Sequence, residues 1–245
     1  MTQAQPQIPA TASRLVRFLA ELVDTKTTIT QKHFPERLGQ LFDLPDSIRI
    51  STVLGSRAEP VEQSTVSKDE VRADFLRSRT AIISSAVGSF GPGGGALRLR
   101  FPRIATRELF EEAIAGNAFS AFYSAQQSDI DFRVRNLQTL TREALAGFSP
   151  RLARLAALDA SLAEPLSAHN RKLYTSVCDL LQKRIDLLRD DYRTTVSGNP
   201  SDDQAWRATL ARLRTEMQGL LLAEIETRTL PVLGLIEALD EQKDE

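Results

Sequence analysis

The side chains able to do chemistry are few: His33, His169, Cys178, three adjacent acidic pairs and one glycine-rich run. A histidine is the usual general base or metal ligand near neutral pH, and a di-iron site in a helical bundle needs a Glu three residues before each of two histidines. Thr30 and Leu166 occupy those positions here. Glu111-Glu112, Asp190-Asp191 and Asp202-Asp203 are consecutive, so on a helix their members point about 100° apart instead of converging on a substrate. Cys178 is the single cysteine, which excludes an intramolecular disulfide and a cysteine-rich zinc site. Flanking an apolar seam, it is expected to be a small core residue. His169 is expected beside the same seam in a structural role, and His33 at a helix start. No catalytic residue, metal or cofactor is expected from these residues, and the protein reads as a non-enzyme.

Residues 88 to 95, GSFGPGGG, hold five of the twelve glycines. A phosphate-cradling loop of this kind needs a preceding strand, a following Lys-Ser or Lys-Thr and a helix opening on the anion. Here Ala96, Leu97 and Arg98 follow, and the preceding AIISSAV continues a helical pattern. The run is contiguous, unlike the spaced glycines of a dinucleotide fold. It is therefore expected to be a hinge or linker.

The elements that must position any site are helices. Leu, Ala and Arg dominate, and such residues lose little side-chain freedom in a helix. Ser13 can cap a helix with Leu15, Phe18, Leu19 and Leu22 on one face. A second is expected from Thr30 through Phe34, Leu38, Leu41 and Phe42, and a third from Pro45 to Leu54 after the Asp43-Leu44-Pro45 break. Another runs from Lys68 to Val87. From Thr106 the apolar pattern Phe110, Ile114, Ala118, Phe122, Ile130, Val134, Leu137 predicts one helix of about forty residues, or two joined near Gln127. Ser149 and Pro150 open the next as cap and first helical residue.

Within it Leu166, Leu173, Leu180 and Leu187 recur every seven residues, and Leu162, Val177, Leu181, Ile185, Leu188 and Tyr192 fill the adjoining seam. Pro165 is expected to bend it. After the turn SGNPSDD a last helix carries Trp206, Leu210, Leu213, Met217, Leu221 and Ile225, with Pro231 kinking or interrupting it. The expected fold is all-α: a small N-terminal helical unit plus an elongated antiparallel, coiled-coil-like bundle of long helices. The chain divides into a disordered tail (1–12), the small unit (13–54), a linker (55–67), a connecting helix (68–87), a Gly-rich linker (88–105), the bundle (106–240) and an acidic tail (241–245).

A net charge of −1 and 26% charged residues are ordinary for a soluble chain and offer no concentrated basic patch for nucleic acid. No run of about 18 apolar residues and no basic-then-apolar leader occurs, so a cytoplasmic protein without direct membrane insertion is expected. An alternative reading uses the N-terminal helices, through Arg37 and Arg49, as a DNA-binding regulator with the bundle as dimeriser.

SRLVRFLAELVD, ERLGQLFDLPDSIRISTVLG, PRLARLAALDASL and EMQGLLLAEIETRTLPVLGLIEAL resemble the proteobacterial family catalogued as domain of unknown function 3348. The resemblance covers about Ser13 to Leu54 and Asp129 to Leu239, with the Gly-rich middle apart from it. The family has no established activity. The resemblance implies company instead: genes for OmpA-like and flagellar-stator-like envelope proteins. The expected function is thus a non-enzymatic helical adaptor or scaffold, a cytoplasmic accessory of an envelope assembly, peripheral to the inner membrane through its protein partner. The candidate interaction surface is Met217, Leu221, Glu224, Arg228 and Pro231, with Glu224 and Arg228 paired on the helix surface and the apolar seams also able to serve a homo-oligomer.

Overall fold

The computed structural model describes residues 13–23, 42–56, 66–91, 99–196 and 203–242. Among these the chain is all-α, with no strand. Seven helices are seen: α1 (Arg14–Val23), α2 (Leu44–Gly55), α3 (Lys68–Ser89), α4 (Arg107–Ala115), α5 (Ala118–Ala146), α6 (Pro150–Val196) and α7 (Asp203–Glu241). The expected tail 1–12, the helix from Thr30, His33, Arg37, most of the 55–67 linker, the glycines after Gly91, most of the SGNPSDD turn and the last acidic residues lie outside the described residues.

Local chemistry accounts for the helix starts. Ser13 Oγ accepts from Val16 N at 3.3 Å, and Ser149 Oγ from Leu152 N at 3.2 Å with Pro150 at the first helical position. Asp43 and Asp46 form a reciprocal capping box at α2. Thr106 caps α4 by accepting from Leu109 N.

The break expected near Gln127 falls instead at Gly116-Asn117. Gly116 N donates to Glu112 O at 2.7 Å, and Asn117 turns the chain at φ 58°. That left-handed conformation is one asparagine tolerates better than most residues. Gln127 itself sits in mid-helix, buried. Neither proline interrupts its helix: α6 runs through Pro165 and α7 through Pro231.

The chain forms two compact units, and their boundaries fall inside α3, α5, α6 and α7. Unit 1 is Met1–Ile29, Ile82–Ile130 and Tyr174–Thr227; unit 2 is Thr30–Ala81, Asp131–Leu173 and Arg228–Glu245. In unit 1 the side-chain pairs Ser120–Gln182 and Gln127–Cys178 run in opposite chain senses, so α5 and α6 are antiparallel. Helix α7 faces α6 antiparallel in turn: Arg184 meets Glu216, and Gln127 bridges the Tyr174 carbonyl to Glu224.

The core of unit 1 contains Phe110, Ile114, Phe119, Tyr123, Leu181, Ile185, Leu213, Met217 and Leu221. Phe110 packs edge-on to Tyr192 at 5.3 Å between centroids. Gly219 admits α1: a Cβ there would lie 2.7 Å from the Phe18 ring. Phe101 follows the glycine run, stacks against Phe90, Phe119 and Phe122, and donates its N–H to Ser89 O at 2.9 Å. The two flanks of the run are thereby held together on this unit.

The core of unit 2 contains Val71, Phe75, Val134, Leu137, Leu145, Leu152, Val232, Leu235 and Leu239. Arg142 pairs with Asp159 at 2.7 Å across α5 and α6, and Asp131 takes both Arg135 at 2.8 Å and Arg228 at 3.0 Å.

The seven-residue leucine series does not mark the buried stripe of α6. Leu173 and Leu187 are about half exposed, whereas Tyr174, Val177, Leu181, Ile185, Leu188 and Tyr192 are buried. The core line therefore passes about one residue, or roughly 100° of helix turn, to the side of those leucines. Burial follows the face that continues through tyrosine and β-branched residues.

Candidate functional site

The expected interaction residues lie mostly in the interior. Met217, Leu221 and Glu224 are buried within the chain, and Arg228 is largely covered. Of the five, only Pro231 is exposed. The physical reason is that α7 presents apolar residues to more than one neighbour in the bundle, so the face carrying Met217 and Leu221 is already occupied.

Glu224 is the centre of a buried polar cluster in unit 1. Its Oε1 accepts from Tyr123 Oη at 2.6 Å and from Gln127 Nε2 at 2.8 Å, and its Oε2 accepts from the same Nε2 at 3.0 Å. Gln127 Nε2 also donates to the Tyr174 carbonyl at 3.1 Å, while its Oε1 accepts from Cys178 Sγ at 3.0 Å. One amide thus joins α5, α6 and α7. These donors meet the demand of a carboxylate removed from water, which would otherwise be strongly unfavourable. The cluster supplies register. Cys178 carries no disulfide and is part-buried; His169 is exposed on α6.

The second ionic assembly of unit 1 is Glu216. Arg184 grips it bidentately, Nε to Oε2 at 2.9 Å and Nη2 to Oε1 at 2.7 Å, and Arg212 adds a bond at 3.0 Å. Burial pushes this carboxyl upward, but the two guanidiniums outweigh it and hold the group below its ordinary value.

The open site lies elsewhere in the same unit. A groove of about 930 Å³ is lined by Gly91 and Arg100 to Ala105 on one side and by the first turns of α7, Trp206 to Thr215, on the other. Four arginines reach it: Arg100, Arg103, Arg207 and Arg214. Among the described residues no carboxylate lines it and none of the four makes an ion pair. Arg214 lies over Phe101 at 5.7 Å and Arg207 over Trp206 at 5.3 Å. Trp206 is 4% exposed, and its indole N–H has no acceptor among the described residues.

The sequence carried a sign of this groove. Arg207 and Arg214 are seven apart with Leu210 and Ala211 between them, which places all four on one helical face. Arg100 and Arg103 sit in the segment expected to be a linker. Arg49, by contrast, is engaged by Asp46 and Glu164. Among the described residues no three His, Cys, Asp or Glu side chains gather as around a metal ion, and no helix is long and apolar enough to cross a membrane.

Over residues 1–241 the chain matches the family described as Protein of unknown function (DUF3348), and it belongs to that family. The match takes in the Gly-rich middle, which the residue-level resemblance had set apart. No curated protein and no solved structure matches.

Proposed function

We propose that this family member is a non-enzymatic helical adaptor that binds a protein partner through the arginine-lined groove. The observation that supports it is a division of labour in unit 1. The groups able to move protons or attack, Glu224, Tyr123 and Cys178, bond within a buried cluster, and the open groove presents arginines and apolar side chains instead. Such a lining recognises: its hydroxyl, Thr215, is bonded to the Ala211 carbonyl, and its described residues include no His, Cys, Asp or Glu to act as a base. The envelope assembly expected from the family resemblance is where the partner is sought first.

The test is affinity capture of tagged protein from membrane-solubilised cells, followed by reconstitution of the complex from purified components. A stoichiometric complex with one reconstituted partner is the expected result. Failure of every captured protein to rebind when purified would remove the adaptor reading.

A further inference from the structure

We propose that the groove receives an extended acidic segment of a partner protein, one in which carboxylates alternate with apolar side chains. This rests on the adaptor reading for the existence of a protein partner, and on the groove alone for its chemistry.

Charge comes first. Arg49, Arg72, Arg142, Arg184 and Arg228 are each matched to a carboxylate of the chain, whereas Arg100, Arg103, Arg207 and Arg214 gather in one groove with none among the described residues. Guanidinium forks suit planar carboxylates or phosphates, and four held together in a groove raise the local concentration of such anions. The Trp206 N–H beneath them is a buried donor with no acceptor among the described residues.

Shape and aromatic geometry then select among anions. Phe101, Ile104, Leu210 and Ala211 lie between the arginines, so an occupant needs apolar side chains as well as charge. From Trp206 to Thr215 the helix rises about 14 Å, the reach of about four extended residues. A single-stranded nucleic acid would look for open aromatic faces on which to stack its bases. Here Arg214 covers Phe101 and Trp206 is nearly fully buried beneath Arg207. A duplex would look for an extended basic field, and the chain's net charge is −1.

Trp206 is the only tryptophan and lines the groove, so its emission reports occupancy. The full chain is titrated with an acetylated peptide of about six alternating Leu and Glu residues, with the same peptide carrying Gln for Glu, and with oligothymidylate of equal charge. The expected result is a saturable change in Trp206 emission with the Leu/Glu peptide alone, weakened about tenfold or more in the Arg100→Gln, Arg207→Gln double variant. Both arginines are exposed and form no ion pair among the described residues, so far-UV circular dichroism should be unchanged. Arg77→Gln, on α3, should bind as the parent does.

Equal binding of the Gln peptide, stronger binding of oligothymidylate, or no response up to about 5 mM peptide would overturn the proposal. A reconstituted partner held equally well by the double variant would keep the adaptor and overturn the groove. Peptide binding without any reconstituted partner would do the reverse.

Discussion

Tyr123 on α5 donates its hydroxyl to Glu224 on α7 at 2.6 Å, and that carboxylate is 0% exposed. Gln127, one turn along α5, supplies two further bonds to the same group and ties it to α6. The pair therefore fixes the height of α7 against α5, and its energetic weight can be separated by substitution.

Tyr123→Phe removes one donor but leaves Gln127 on both oxygens, and should cost about 1–3 kcal/mol. Glu224→Ala removes the acceptor shared by Tyr123 and Gln127 and opens a cavity, so it should cost more, about 3–5 kcal/mol. Denaturant unfolding of the three proteins measures both. A Tyr123→Phe midpoint equal to that of the parent would show that the bond carries no net stability.

Glu216 sets a pH dependence. Its pKa is held below the ordinary value in the fold, so it contributes stability that is fully present above the unfolded value of about 4.3 and is lost as pH falls through the lower folded value. The Glu216→Gln variant lacks this titrating carboxyl. The stability difference between parent and variant should therefore shrink as pH is taken from about 6 to about 3, read as unfolding midpoints at each pH. A constant difference would argue that Arg184 and Arg212 do not perturb the carboxyl.

Gly219 governs the seating of α1. A methyl at this position would meet the Phe18 ring at 2.7 Å, so Gly219→Leu should displace the ring and loosen α1 from α7. Amide exchange of the α1 backbone should rise selectively, while that of the core turns of α6 stays slow. Protection of α1 equal to the parent's would mean that the ring moves aside without loss.

Asn117 holds φ 58° between α4 and α5. Asn117→Gly should be close to neutral, and Asn117→Val, β-branched and poorly accommodated there, should cost about 1–2 kcal/mol. Thermal unfolding of the two variants decides it: equal midpoints would contradict a left-handed junction.

The helices were legible because their signals are local. Ser13 and Ser149 cap what they were expected to cap, a helix opens at Thr106 where the apolar pattern begins, and apolar spacing located α5, α6 and α7. The Gly116-Asn117 break was written in the sequence as a helix-stop pair, but the apolar stripe continues past it into α5 and masked it. The leucine repeat of α6 misled for a related reason: residue type repeats at seven, whereas burial depends on which face meets α5 and α7.

The site was less legible because it is made by tertiary structure. Glu224 and Arg228 have the spacing of an exposed helical pair, and nothing local shows that Tyr123 and Gln127 will meet the first and Asp131 the second. The groove likewise needs Phe101 to dock among Phe90, Phe119 and Phe122 before Arg100 and Arg103 can face Arg207 and Arg214.

The Gln127 amide has a fixed polarity, with nitrogen toward Glu224 and the Tyr174 carbonyl and oxygen toward Cys178. Sliding α7 by one helical turn would carry Glu224 about 5.4 Å away from Tyr123 and Gln127, with no second carboxylate one turn to either side: Leu220 and Arg228 stand there. The cluster is therefore a detent against axial travel. Axial travel of α7 against α5 would break these bonds, whereas a small tilt about the cluster could keep them.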